Sequence, residues 1–197
     1  HDALRTNAAE RPEDAQVLLD RLNRATRQAK PVAQKETCFL NLTDNALGKL
    51  RQQVPGLESR KEAESFIEND LQGGGAWSKF RSWDPVARKE SLVPDQFSLV
   101  GETLKLVVAA DRQSRAGFTV ISTVRPTSDG LLEKERNQGW TPTISYKIGR
   151  PYSIDAGQQM VDSLVRGIDY HEEQAVARRL QDEEERLFRN WSDLLQV

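Results

Sequence analysis

The sequence predicts an α+β fold: a small, mostly antiparallel sheet of four to five strands packed by helices, with extended amphipathic helices at both ends. Three observations carry that expectation. Segments of alternating apolar residues cluster in the middle of the chain, without the regular β–α alternation of a doubly wound parallel sheet. Apolar residues spaced by three and four mark both flanks. The residues from Ser153 to Val197 read as one long charged helix with no stop signal inside it. These give three parts: an N-terminal amphipathic helix within residues 1–34, an α+β core over 35–155, and a charged helix over 156–197 that acts as a linker or coiled-coil-like arm.

The first helix opens at Pro12, with Glu13 and Asp14 on the positive end of its dipole. Ala15, Leu18, Leu22, Ala25 and Ala29 then form a narrow stripe suited to one partner helix, and Pro31 closes it. Thr37 to Leu42 alternates, with Cys38, Leu40 and Leu42 on one side, and reads as a strand. Thr43 caps a brief helix carrying Ala46, Leu47 and Leu50, ended by Pro55-Gly56. Ser59 with Glu62 forms a capping box for a helix through about Leu71. Gly73-Gly74-Gly75 reads as a flexible break and the best linker in the chain.

Strands are expected over residues 37–42, 96–109, 118–125 and 142–148. Phe97 and Leu99 alternate, as do Leu104, Leu106 and Val108, then Phe118, Val120 and Val124. Residues Asp111 to Gly117 join the last two runs as a hairpin loop. The polar stretch from Pro126 to Gly139 is a loop with a helical turn. Asp155 with Gln158 offers a capping box for the last helix. Met160, Val161, Leu164, Val165 and Ile168 give its first half a broad face, with a bend expected at Gly167. Its second half narrows to Ala177, Leu180, Leu187, Trp191 and Leu194.

Composition narrows the function. With a net charge of -2 and a pI near 5.8, no global field draws the chain to nucleic acid or an anionic membrane. A single cysteine, Cys38, excludes an internal disulfide and a cysteine-based metal cage. No apolar run approaches the roughly 20 residues that cross a bilayer. No leader of basic, apolar and small residues is present. A reducing, cytoplasmic setting is the expectation, with a mature secreted fragment as the alternative. The chain begins at His1 and its only methionine is Met160, so it reads as a segment of a longer protein.

Catalytic chemistry finds little support. Cys38 sits on the apolar side of a strand, where a thiol is buried and inert. No phosphate-cradling glycine motif or nucleophile elbow occurs. His171 is the one internal histidine, and a hydrolase would have to combine it with a carboxylate such as Glu102 or Asp111. No catalytic residue, metal ligand or cofactor is assigned.

Trp77-Ser78-Lys79-Phe80-Arg81-Ser82-Trp83 is the one concentrated candidate. Flat rings interleaved with cations are what single-stranded nucleic acid requires. Arg88 and Lys89 extend the basic stretch; Arg112 and Arg115 in the hairpin loop, and Lys147 and Arg150 beside the fourth strand, add to it. Against this, Trp77, Phe80 and Trp83 fall at i, i+3 and i+6, so a helical turn would bury all three. A second candidate surface is the pair of terminal helices, through Leu18, Leu22, Leu180, Leu187, Phe188, Trp191 and Leu194. The chain is therefore expected to be a non-enzymatic interaction module. Its expected partners are other domains of the same protein, single-stranded nucleic acid, or a second copy of itself, with no membrane.

Overall fold

The computed structural model describes residues 36–111, 117–126, 131–150 and 153–195. The expected N-terminal helix, with Leu18 and Leu22, lies outside the described residues. The elements run β1 (Glu36–Leu42), α1 (Asp44–Gln53), α2 (Arg60–Asp70), β2 (Ala76–Asp84), β3 (Lys89–Val100), β4 (Lys105–Asp111), β5 (Gly117–Val124), α3 (Leu131–Gln138), β6 (Ile144–Ile148) and α4 (Ile154–Leu195). The α+β class stands. The sheet is mixed and has six strands in the order β2-β3-β4-β5-β1-β6. Strands β2 to β5 form an antiparallel meander, and β1 adds to it parallel to β5, with Leu40 opposite Phe118 and Leu42 opposite Val120.

Local chemistry sets the helix starts. The Thr43 hydroxyl accepts from the Ala46 N–H at 3.2 Å and donates to the Val120 carbonyl at 2.9 Å, so one cap begins α1 and ties it to β5. At α2 the capping box of Ser59 and Glu62 is complete. Hydrogen bonds from Ser59 and then Glu58 hold the Glu62 carboxyl below the usual glutamate range. For α4 the cap is Ser153, not Asp155: its hydroxyl accepts from the Ala156 N–H at 3.1 Å. Asp155 instead lies in the first helical turn.

The segment from Trp77 to Trp83 is a strand, which corrects the helical spacing of its aromatics. Pairing with β3, from Ala76 opposite Val100 to Asp84 opposite Lys89, outweighs that local pattern. Trp77 is fully buried against Phe118, ring centroids 4.9 Å apart, and Phe97, at 6.3 Å.

Strands β2 and β6 are the two edges of the sheet, yet they meet. The Trp77 indole N–H donates to the Tyr146 hydroxyl at 3.1 Å, and that hydroxyl donates to the Gly75 carbonyl at 3.2 Å. Burial pushes the Tyr146 phenol well above its usual range, so it remains a donor. The Trp140 backbone adds a two-way bridge to Trp77, with N···O distances of 2.6 and 3.0 Å. The sheet therefore curls, and Trp140 meets the β2 edge at this one bridge before the chain enters β6.

Two carboxylates cover further edge donors. Glu172 accepts from the Lys79 N–H at 2.7 Å, and Glu68 from the Ile148 N–H at 2.8 Å. Unpaired edges invite other strands, and these contacts occupy one donor on each edge. The buried Asp70 closes the β3–β4 turn, accepting from the N–H groups of Thr103 at 2.8 Å and Leu104 at 3.2 Å.

Gly73-Gly74-Gly75 is not a linker. A Cβ on Gly75 would stand 2.4 Å from Leu99, and Gly74 has φ +95°. The Arg136 guanidinium holds the carbonyls of Gly73 and Gly74 at 3.2 and 3.0 Å. The triplet is a packed entry into β2.

Helix α4 continues through Gly167 as one element. Val161, Leu164 and Ile168 are buried in the core. Gly167 is there for close approach: a Cβ would meet the Trp140 ring at 2.6 Å. Overpacking of this kind costs about 1–3 kcal/mol, while alanine in place of a helical glycine gains about 1 kcal/mol. Gly167→Ala is therefore expected to lower stability in urea unfolding. Gly48→Ala in α1, where nothing lies within 4 Å, is expected to raise it by about 1 kcal/mol. A stabilising Gly167→Ala would remove the packing account.

Tyr146→Phe leaves the buried Trp77 N–H without its acceptor. The expected loss is about 1–3 kcal/mol by the same measurement. An unchanged urea midpoint would show that the edge junction is not held by this hydroxyl.

Candidate functional site

The β2–β3 hairpin is longer than the sheet that carries it. Strand β4 pairs with β3 only from Gln96 to Val100. Beyond that, residues from Arg81 to Asp95 form a two-stranded ribbon with no described neighbour strand on either side. A register break divides ribbon from sheet: the single residue Phe80 stands opposite the four residues Val93 to Gln96. Pro94 offers no backbone donor and Asp95 has φ +54°, both suited to an irregular strand. At the tip the Asp84 carboxylate accepts from the N–H groups of Val86 and Ala87 at 2.9 and 3.0 Å, and Arg88 takes φ +49°.

Register assigns the faces. Arg81 lies opposite Leu92, and Trp83 opposite Glu90, so these four side chains share one face. Trp83 is 61% exposed and Leu92 51%. That face continues into a polar cleft of about 490 Å³ lying between the sheet, α3 and α4. Ser78, Phe80 and Arg81 supply one wall and His171, Glu172 and Arg179 the other, with Ser98, Lys105 and Glu135 also lining it.

Most charges in the cleft are already engaged. Lys79 pairs with Asp169 at 2.9 Å and with Glu172 at 4.0 Å. Lys105 pairs with Glu135 at 2.9 Å. The His171 Nε2–H donates to the Gln138 carbonyl at 3.2 Å, so the imidazole is oriented by a main-chain oxygen rather than by a carboxylate. Glu102, one carboxylate considered for hydrolysis, is paired with Arg136. Cys38 is buried, and burial pushes its thiol far above the ordinary range. Among the described residues, no three His, Cys, Asp or Glu side chains gather as a metal site requires, and no helix is long and apolar enough to cross a membrane.

The candidate residues divide accordingly. Trp77 is withdrawn into the core and has no face for a base to stack on. Phe80 and Arg81 line the cleft, Trp83 stands on the ribbon, and Arg88 and Lys89 are exposed at its tip. Lys79 lines the cleft but is held by Asp169 and Glu172 of α4. Lys147 is at the other edge of the sheet, 3.4 Å from Glu68, and Arg150 is exposed just beyond β6. Arg112 and Arg115 lie outside the described residues, as does the Leu194 side chain.

Asp169, Glu172, Val176 and Arg179, contributed by α4, were not foreseen as part of this site. Their spacing of three, four and three places them on one helical face, the only signal of their shared role. The other terminal-helix candidates are exposed: Leu180, Leu187, Phe188 and Trp191 are each more than half accessible.

Comparison with protein-family models, with characterised proteins and with solved structures finds no match to this chain.

The hydrogen bond to Asp169 holds the Lys79 ammonium above the ordinary lysine value of 10.5. A raised folded value means that its contribution is complete below 10.5 and is lost as pH climbs through the folded value. That contribution is at most about 1 kcal/mol for so exposed a pair. An NMR titration of the Lys79 Cε signal is expected to turn above 10.5; a midpoint at or below it would mean that the pair does not form in solution.

Proposed function

We propose that this chain is a non-enzymatic module that contacts other macromolecules, and that the far half of α4 docks a protein partner. One observation carries the reading. From Val176 to Trp191 every side chain of α4 is exposed, although the run includes Leu180, Leu187, Phe188 and Trp191. Phe188 is 74% and Trp191 66% accessible. Ala177, Leu180, Glu184, Leu187 and Trp191 recur at alternating steps of three and four, the spacing of a seam that seats on another helix. Helical stability comes mainly from packing of such a face, and the core supplies none this far out.

The ribbon supports a second reading, contact with single-stranded nucleic acid. Trp83 presents an accessible ring on the same face as Arg81, with Arg88 and Lys89 at the tip. Stacking and backbone neutralisation are the two requirements of such binding, and both residue types are adjacent here. A hydrolase has less to work with, since the thiol is buried and the histidine has no carboxylate partner among the described residues.

The docking role is tested by photo-cross-linking in the cells that make this protein. A photoreactive residue at Leu187 is expected to give a discrete product, and one at the exposed Lys61 of α2 none. Equal yields from the two positions would overturn the assignment of α4 as the docking element.

A further inference from the structure

The cleft beneath the ribbon contains cations left over after its ion pairs are counted. Lys79 is committed to Asp169 and Glu172, and Lys105 to Glu135. Arg81, from β2, and Arg179, from α4, have no ion-pair or hydrogen-bond partner among the described residues, and both line the same cleft. Glu90 is the one remaining carboxylate on its walls; with Lys79 shared by two carboxylates the cleft is neutral in sum, and what it offers an anion is two guanidinium groups without partners rather than a net charge.

Guanidinium groups suit a tetrahedral oxyanion, since each presents a planar fork of donors that never deprotonates. The serine hydroxyls of Ser78 and Ser98 add neutral donors, and the half-buried Phe80 adds an aromatic surface. A volume of about 490 Å³ is adequate for one nucleotide unit.

We propose that Arg81 and Arg179 form a phosphate clamp across this cleft, with the base attached to that phosphate resting on Phe80. The clamp rests on the reading of the ribbon as a nucleic-acid surface and gives that surface its anchoring point. The expected carrier is a single strand running from the cleft along the ribbon, so that the next exposed ring it meets is Trp83. A free phosphate compound shares the same chemistry.

The test measures binding of a labelled ten-residue oligothymidylate by fluorescence anisotropy, at several salt concentrations, with inorganic pyrophosphate as competitor. Arg81→Gln and Arg179→Gln are each expected to weaken binding about tenfold and to reduce the salt slope by about 0.7, the loss of one single-strand phosphate contact. Pyrophosphate should compete with wild type and not bind the double variant. Lys61→Gln, in α2 and outside the cleft lining, should bind as wild type. Both arginines are exposed, so unchanged circular dichroism and urea midpoints are expected to show intact folding.

Strand binding that survives both arginine changes but is lost in Trp83→Ala overturns the clamp and leaves the ribbon reading in place. Pyrophosphate binding that needs both arginines, without any strand binding, supports the clamp as a site for free phosphate compounds and overturns the nucleic-acid reading. Binding of neither probe overturns both.

Discussion

A phenol oxygen shared between two strands fixes the shape of this molecule. Tyr146, on one edge of the sheet, accepts from the Trp77 indole on the other edge and donates to the Gly75 carbonyl at its root. That double contact requires the sheet to curl until its edges meet. With Trp77 held there, its ring reaches Phe97 and Phe118 and completes the aromatic centre of the core. Closure also brings Trp140 alongside β2, and the Trp140 ring is the surface on which α4 crosses at Gly167. The placement of α4, and with it one whole wall of the cleft, therefore follows from a hydrogen bond in the interior. Buried polar groups in such a network are costly to leave unmatched, which is why so few atoms can specify so much geometry.

How much of this could be read from the chain depended on the range of the interaction. The caps at Thr43 and at Ser59 with Glu62 are contacts between residues three apart, and both were legible. So was the hairpin joining β4 to β5, whose described ends pair at Asp111 and Gly117. Strand β2 was hidden because its aromatics carry a helix-like spacing, and the decision lies with partners on β3 and at Trp140. The glycine triplet likewise resembles a hinge until Leu99 and Arg136 are placed against it.

The site was legible in outline. Phe80, Arg81 and Trp83 were identified as a group, and they do border one cleft and the ribbon above it. Trp77 could not be separated from them by composition, because a buried and an exposed tryptophan look alike in a sequence. The contribution of α4 was obscured for a different reason. Asp169, Glu172 and Arg179 have the periodicity of a solvated helix face, and only the edge of β2 converts that face into a wall.

The unbroken course of α4 has a mechanical consequence. Its 42 residues form one continuous helix, gripped by the core near Gly167 and Glu172 and exposed from Val176 to Trp191. From Glu172 to Trp191 the lever arm is about 28 Å at 1.5 Å per residue. A pivot of about 5° at the grip therefore swings the distal tryptophan by roughly 2.5 Å, with the helix itself unchanged.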